Sequence, residues 1–192
     1  MRIISGKYKG IRLSTPPKGR LRPALQKVRE ALFNIIDVEN KLFIDIFAGT
    51  GSIGFEAISH YAKHVTFIEK DKLHAKILNE NIKNLQLEKE LSKVIALPFE
   101  VLVKQLLKEN KVLPHEKYDY IFLGPPYALW KENWIQTDIA QSELFTGESV
   151  IICEHTKYFD LPNMLTSSKS NLILFNKKYY GETVLSFYQK AQ

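Results

Sequence analysis

The sequence is nearly without cysteine: Cys153 stands alone among 192 residues. A single thiol excludes an intramolecular disulfide and suits a reducing compartment. Its setting, Val150-Ile151-Ile152-Cys153, reads as a buried strand, so the thiol is expected to pack rather than react. Long hydrophobic runs are also missing. No apolar stretch approaches the roughly 20 residues that span a bilayer, and the first residues lack the apolar core of a signal peptide. The expectation is a cytoplasmic chain with no membrane partner. Five histidines (His60, His64, His74, His115, His155) show no metal-ligand grouping with cysteines or acids, so no metal is expected. Internal repeats and low-complexity segments are absent as well.

Acidic residues are missing from one place in particular. Residues 1–29 hold nine basic residues and no acidic one, whereas the remaining 163 carry 18 basic and 21 acidic. The net charge of +6 therefore arises entirely from the first sixth of the chain. Arg2, Lys7, Lys9, Arg12, Lys18, Arg20 and Arg22 are interleaved there with glycine, proline and Tyr8, a pattern that suits contact with nucleic acid. Residues 2–4 and 11–13 flank Ser5-Gly6-Lys7-Tyr8-Lys9-Gly10 and read as a β-hairpin too small to fold alone. It is expected to lean on the main domain. Thr15 to Gly19 follows as a turn-rich linker.

What is present is ordinary for a globular α/β chain: 45% hydrophobic and 25% charged residues. A helix is expected from about 24 to 37, with Val28, Leu32, Ile35 and Ile36 on one face. From residue 41 strand and helix patterns alternate, which predicts a parallel sheet covered on both faces. Strands are expected at 42–47, 64–69, near 93–97, 118–123 and 148–153. The intervening helices fall at about 51–61, 72–86, 99–109 and within 131–142. The runs 171–176 and 182–189 close the chain as strands, with Lys177 to Gly181 as a hairpin turn.

The chemistry concentrates at strand ends. Gly49, Gly51 and Gly54 have the G-x-G-x-x-G spacing of a nucleotide-type loop, and Glu69 lies twenty residues beyond Gly49. Asp45, before the loop, would repel a pyrophosphate but attract a ligand carrying ammonium and sulfonium charges, which favours S-adenosylmethionine over a nicotinamide cofactor. Glu69 can accept from both hydroxyls of a ribose. Gly124-Pro125-Pro126-Tyr127 ends the fourth strand. Consecutive prolines fix its backbone, so carbonyls 124 and 125 can accept from an exocyclic amine while a planar base stacks on Tyr127. That suits methyl transfer to an amine. Trp130 and Trp134 are expected to pack, with base contact the other option. Glu154-His155 closes strand five with an acid that could orient substrate.

Asp45-Ile-Phe-Ala-Gly-Thr-Gly, Ile68-Glu69 and Pro125-Pro126-Tyr127 resemble the motifs of S-adenosylmethionine-dependent amino-methyltransferases. Arg2 to Leu13, Leu21-Arg22-Pro23, Val28 to Asn34 and Tyr180-Gly181-Glu182-Thr183 narrow the resemblance to the RsmD family, whose members methylate the exocyclic N2 of one guanine in bacterial 16S ribosomal RNA. The resemblance runs from end to end. It implies a Rossmann-like class I methyltransferase with a seven-stranded, mostly parallel sheet and an antiparallel last strand. Residues 1–20 would form a basic hairpin arm for the substrate, and residues 21–192 the catalytic domain. It further implies a monomer acting on 16S RNA, within a 30S particle or an assembly intermediate. Asp45, Phe47, Ala48, Gly49, Gly51, Glu69, Lys70 and Leu97 would hold S-adenosylmethionine, and Gly124, Pro125, Pro126 and Tyr127 the target base. The chain departs from the family pattern at three places. Gly124 stands where Asp usually precedes Pro-Pro, Ala24, Leu25 and Gln26 stand where the family usually has a threonine and then an aspartate, and Leu97 stands where a polar residue, commonly Asp, is often found. These departures motivate a second reading, a methyltransferase fold with weakened or lost chemistry that binds RNA or the ribosome. Methylation of a DNA amine shares the Pro-Pro-Tyr chemistry, but the chain is short for a sizeable DNA-recognition domain.

Overall fold

The structure, a computed structural model, describes residues 1–16, 23–108, 113–132, 134–142 and 144–191. Two structural layers of helix enclose one sheet. Strands β1 (Leu42–Ile46), β2 (His64–Ile68), β3 (Ser92–Ile95), β4 (Tyr120–Leu123) and β5 (Val150–Thr156) are parallel. β6 (Met164–Thr166), β7 (Asn171–Tyr180) and β8 (Thr183–Lys190) complete the order β3-β2-β1-β4-β5-β8-β7-β6, with β8 antiparallel to both of its neighbours. The chain winds outward from β1 to β3, then returns to the other side of β1 with β4. That reversal makes the carboxyl ends of β1 and β4 the place where an open sheet of this kind gapes.

The strands β1, β2 and β4 are buried on both faces, which is why they read as continuous apolar runs rather than alternating ones. On one face, α1 (Pro23–Ile35), α2 (Ser52–Ser59) and α3 (Lys72–Asn84) contribute Val28, Leu32, Phe55 and Leu78 to a core with Phe43, Phe67, Phe122 and Ile152. On the other, α4 (Phe99–Leu106) and α5 (Trp134–Ser142) pack Leu102, Val103, Ile135 and Ile139 against Ile44, Ile46, Leu123 and Cys153. Cys153 is fully buried, and burial pushes its thiol above the ordinary range, so it stays protonated and packs as a small apolar group. No helix among the described residues is long and apolar enough to cross a membrane.

Three sequence expectations change. The sheet has eight strands rather than seven, because the three-residue edge strand β6 pairs with β7. Its length gives no periodic signal. Lys177 to Tyr180 do not form a turn but belong to β7, and Tyr180 pairs with Thr183 across Gly181-Glu182. Gly181 has φ +66, so glycine takes the first position of this two-residue turn. Tyr118 and Asp119 precede β4 rather than opening it; Tyr118 is instead buried, with its hydroxyl 2.9 Å from Thr66 Oγ1.

Candidate active site

The loop after β1 is shaped by its own backbone. Phe47, Gly49 and Gly51 have φ of +65, +56 and +83. Glycine takes the last two without strain, whereas Phe47 is a bulky residue held in a left-handed conformation, which is costly and rare away from functional sites. Its ring meets Phe99 edge-on at 5.9 Å. Two carboxylates lock the turn by accepting backbone N–H groups. Glu69 accepts from Gly49 N at 2.6 Å and from Asp71 N at 2.8 Å. Asp45 accepts from Gly54 N at 3.0 Å in the first turn of α2. Ala48 is tied to β2 through Ile68 O, and Gly51 N closes the turn onto Ala48 O.

The glycines serve different ends. A Cβ on Gly49 would meet nothing within 4 Å, so its backbone faces open space that a ligand can approach. A Cβ on Gly51 would lie 2.5 Å from Leu78 and one on Gly54 2.2 Å from Phe67. Gly54 is required by the packing of α2 on β2, and Gly51 by the side chains of α2 and α3 beside it. Asp45 is buried; desolvation first, then the charges of Glu69 and Glu154, push its acid up to about 8. Near neutral pH it is therefore mainly protonated. Lys70 and Leu97 line a narrow slot of about 10 Å³ together with Phe47, Ile68 and Phe99. A wider cavity of about 480 Å³ opens beside it, sharing Phe47 and Lys70 and bounded by Glu100, Leu129, Trp134 and Asp138.

On the β4 side, Gly124 and Tyr127 are half-buried and Pro125 buried, and Tyr127 opens a 3-10 turn that runs to Lys131. The Tyr127 hydroxyl donates to Glu154 Oε1 at 3.3 Å or shares a hydrogen with Thr183 Oγ1 at 3.0 Å. Trp130 is fully buried and donates its indole N–H to Glu154 O at 2.8 Å, which makes it core. Trp134 is half-buried and donates to Glu132 Oε2 at 2.7 Å on the cavity wall. Glu154 and Thr183 are the residues that sequence reasoning did not join to Tyr127. The glycine loop, Glu69 and the Pro-Pro-Tyr turn thus converge on one edge.

The N-terminal hairpin closes through Ile3 N to Ile11 O and Gly10 N to Ile3 O, with Arg2 bridged to Arg12. It lies on α2. Glu56, an acid in the otherwise apolar run Ile53-Gly-Phe-Glu-Ala-Ile58, accepts from Ile4 N, Ser5 N and Ser5 Oγ and pairs with Arg29 at 3.2 Å. Gly6, with φ +76, presses onto Ser59 O, where any Cβ would collide. Arg2, Lys7, Lys9 and Arg12 are exposed, and a cavity of about 650 Å³ opens between Arg2, Lys9, Arg12, Ser14 and Gln26. Lys18, Arg20 and Arg22 lie outside the described residues, as do the side chains of Ala24 and Leu25. No group of three or more metal-ligating side chains occurs among the described residues.

A 3-2-1-4-5 parallel order with an antiparallel strand beyond β5, a glycine loop after β1 and an acid at the end of β2 define a class I methyltransferase fold. The Escherichia coli protein yhhF superposes with a TM-score of 0.79 at 26% identity, covering 99% of this chain and 97% of that one. Residues 1–189 match the family described as Conserved hypothetical protein 95, and the chain belongs to this family of RsmD-type ribosomal RNA methyltransferases. It is 30% identical to YlbH of Bacillus subtilis over 99% of both chains. It is 36% identical to the ribosomal RNA small subunit methyltransferase D of Haemophilus influenzae over 71% of this chain and 74% of that protein.

Proposed function

We propose that this chain transfers a methyl group from S-adenosylmethionine to the exocyclic N2 of a guanine in 16S ribosomal RNA of the small subunit. The observation that carries the reading is the meeting of three features at the reversal point of the sheet: the open Gly49 backbone, the Glu69 carboxylate and the Pro125-Pro126-Tyr127 turn. The residues fit the cofactor. Glu69 is already aimed by two backbone N–H groups and keeps lone pairs for ribose hydroxyls. Asp45 lies beneath the loop, where it would ionise against an ammonium group. Phe47, Lys70 and Leu97, which line the slot beside the loop, would wall the place of the nucleoside. When bound, the cofactor supplies an electrophilic methyl on sulfur. The chain's own part is positioning: the Pro-Pro turn fixes carbonyls 124 and 125 and presents the Tyr127 ring to a planar base.

The exposed Arg2, Lys7, Lys9 and Arg12, with Lys18, Arg20 and Arg22 beyond the described residues, would hold RNA phosphates, in a cytoplasmic monomer acting on a 30S particle or an assembly intermediate. Incubation with labelled S-adenosylmethionine and 30S particles lacking the modification, followed by digestion to nucleosides, is expected to yield N2-methylguanosine. Absence of label on 16S RNA, where a family enzyme labels it, overturns the reading.

A second reading is favoured by one observation. The space that a side chain at 124 would occupy is crowded by the Phe122 ring, 2.9 Å from an ideal Cβ. A weakened or inactive module that binds RNA fits a pocket altered in this way. Titration calorimetry separates the two, because a module without chemistry retains RNA binding while showing no affinity for S-adenosylhomocysteine.

A further inference from the structure

The missing side chain at position 124 has a neighbour that carries an acid. β4 and β5 run in parallel with Leu123 opposite Cys153, so one step further along stand Gly124 and Glu154. Strand alternation puts both on the face of Asp45, Phe122 and Ile152, the face that the glycine loop also borders. Glu154 is only 7% exposed, and it is held at both ends. Its carboxylate lies 3.3 Å from the Tyr127 hydroxyl, which is itself 3.0 Å from Thr183 Oγ1, and its carbonyl accepts from Trp130 Nε1 at 2.8 Å. The segment that follows Pro-Pro therefore fixes an acid beside the turn. The charge of Glu154 is also felt at Asp45, beneath the loop.

A carboxylate only accepts hydrogen bonds, and it can accept two in parallel. Guanine carries N1–H and the N2 amine side by side, a donor pair matched to two carboxylate oxygens. Adenine and cytosine place a ring nitrogen lone pair beside their amine, and that lone pair would face the carboxylate. Sites built to accept from a donor discriminate strongly against bases that lack it. From this arrangement we infer that Glu154 is the residue that recognises the target guanine and takes its proton, in place of any side chain at 124. The inference rests on guanine N2 as the target. Glu154 accepts from N1–H and from one N2 hydrogen, which aligns the N2 lone pair with the methyl carbon. The N2 lone pair forms the new N–C bond as the S–C bond breaks, and the electrons of that bond return to sulfur to give S-adenosylhomocysteine. The positively charged N2 then releases a proton to Glu154, which passes it to water.

The test compares wild type with E154Q and E154A on 30S particles lacking the modification, using labelled S-adenosylmethionine and nucleoside digestion. Thermal melting and S-adenosylhomocysteine calorimetry are run beside it. If Glu154 merely packs, the isosteric E154Q keeps wild-type turnover. The expected result is that E154Q loses at least 100-fold in kcat, like E154A, with KM for S-adenosylmethionine and affinity for S-adenosylhomocysteine within threefold. E154Q turning over within threefold of wild type, while wild type yields N2-methylguanosine, overturns this inference and leaves the proposed reaction standing. A wild-type product other than N2-methylguanosine, or none, overturns the reaction and this inference with it. Should E154Q melt below the assay temperature, E154D and E154N decide: the acid must exceed the amide in turnover at least tenfold, and equal rates overturn the inference.

Discussion

The two halves of the candidate site are held together by different kinds of bond. On the β1–β2 side, carboxylates accept backbone N–H groups: Asp45 from Gly54, Glu69 from Gly49 and Asp71, and, beneath the hairpin, Glu56 from Ile4 and Ser5. On the β4–β5 side the joints are made by side chains: Tyr127 with Glu154 and Thr183, and the Trp130 indole with a strand carbonyl. Backbone donors are fixed once the turn forms, so the first half is rigid before any ligand binds. Side-chain hydroxyls and carboxylates can exchange partners, so the second half can offer its groups to a substrate without unfolding a turn. A cofactor cradle suits the first arrangement and a target-base pocket the second.

Removing an acid that holds backbone N–H groups should therefore cost stability or cofactor affinity, whereas removing one from the other half should cost turnover. The largest effect is expected for Glu56→Ala. It leaves Arg29, only 5% exposed, without its ion-pair partner and strips acceptors from two backbone N–H groups. Breaking a buried pair in this way costs about 3–5 kcal/mol, which corresponds to a fall in Tm of roughly 6–20 °C for a chain of this size. Thermal unfolding within 2 °C of wild type would show that the hairpin is held by something else. Glu69→Ala comes next. It deprives the Gly49 and Asp71 N–H groups of their acceptor, and the affinity for S-adenosylhomocysteine should fall about 100-fold, or about 2.7 kcal/mol, by calorimetry.

The same contrast explains what could be read from the sequence. Gly49 and Gly51 declare their turn locally, because positive φ demands glycine or strain, and Glu69 follows at a spacing set by one helix and one strand. Strands β1, β2 and β4 were legible as apolar runs because both of their faces are buried. Contacts between residues distant in sequence were not. Tyr127 meets Glu154 and Thr183 across 27 and 56 residues, and Glu56 reaches Ser5 across 51. Glu56 did leave a signal, an acid inside an apolar helix, but nothing local says what it accepts. Gly54 was legible as part of a spacing and not for its cause, which is the Phe67 ring beneath it. The strand β7 hid its last four residues, Lys177 to Tyr180, because lysines and tyrosines on an exposed hairpin carry no alternation to read.

Gly124→Asp tests the flexible half directly. The new Cβ would lie 2.9 Å from the Phe122 ring, which is buried in the core with Phe43 and Ile152. Overpacking of this kind destabilises by about 1–3 kcal/mol, a Tm loss of roughly 2–12 °C. Phe122→Leu in the same chain removes the obstructing ring edge, so the double variant should recover part of that loss relative to the two single variants added together. Additive losses in a thermal double-mutant cycle would mean that Phe122 and position 124 are independent.

The smallest effect concerns the proton on Asp45. Burial raises this acid to about 8, against an ordinary value near 3.9 in an unfolded chain. The folded protein thus holds a proton that the unfolded one lacks between about pH 4 and pH 8, and this group's contribution to stability falls as pH rises through that window. Binding acts in the opposite direction. An ammonium group beside Asp45 favours the carboxylate, so ligand binding expels the proton, and affinity should rise with pH until the acid is ionised in the free protein as well. Between pH 7 and pH 8.5 the gain for S-adenosylhomocysteine is expected to be about eightfold, since the ionised fraction grows from about a tenth to about three quarters over that range. Asp45→Asn cannot release the proton, so it should bind with a flatter pH profile, and calorimetry in buffers of different ionisation enthalpy should find correspondingly less proton release. Equal release by the two proteins would place the titrating group elsewhere and make Asp45 a clamp on Gly54 alone.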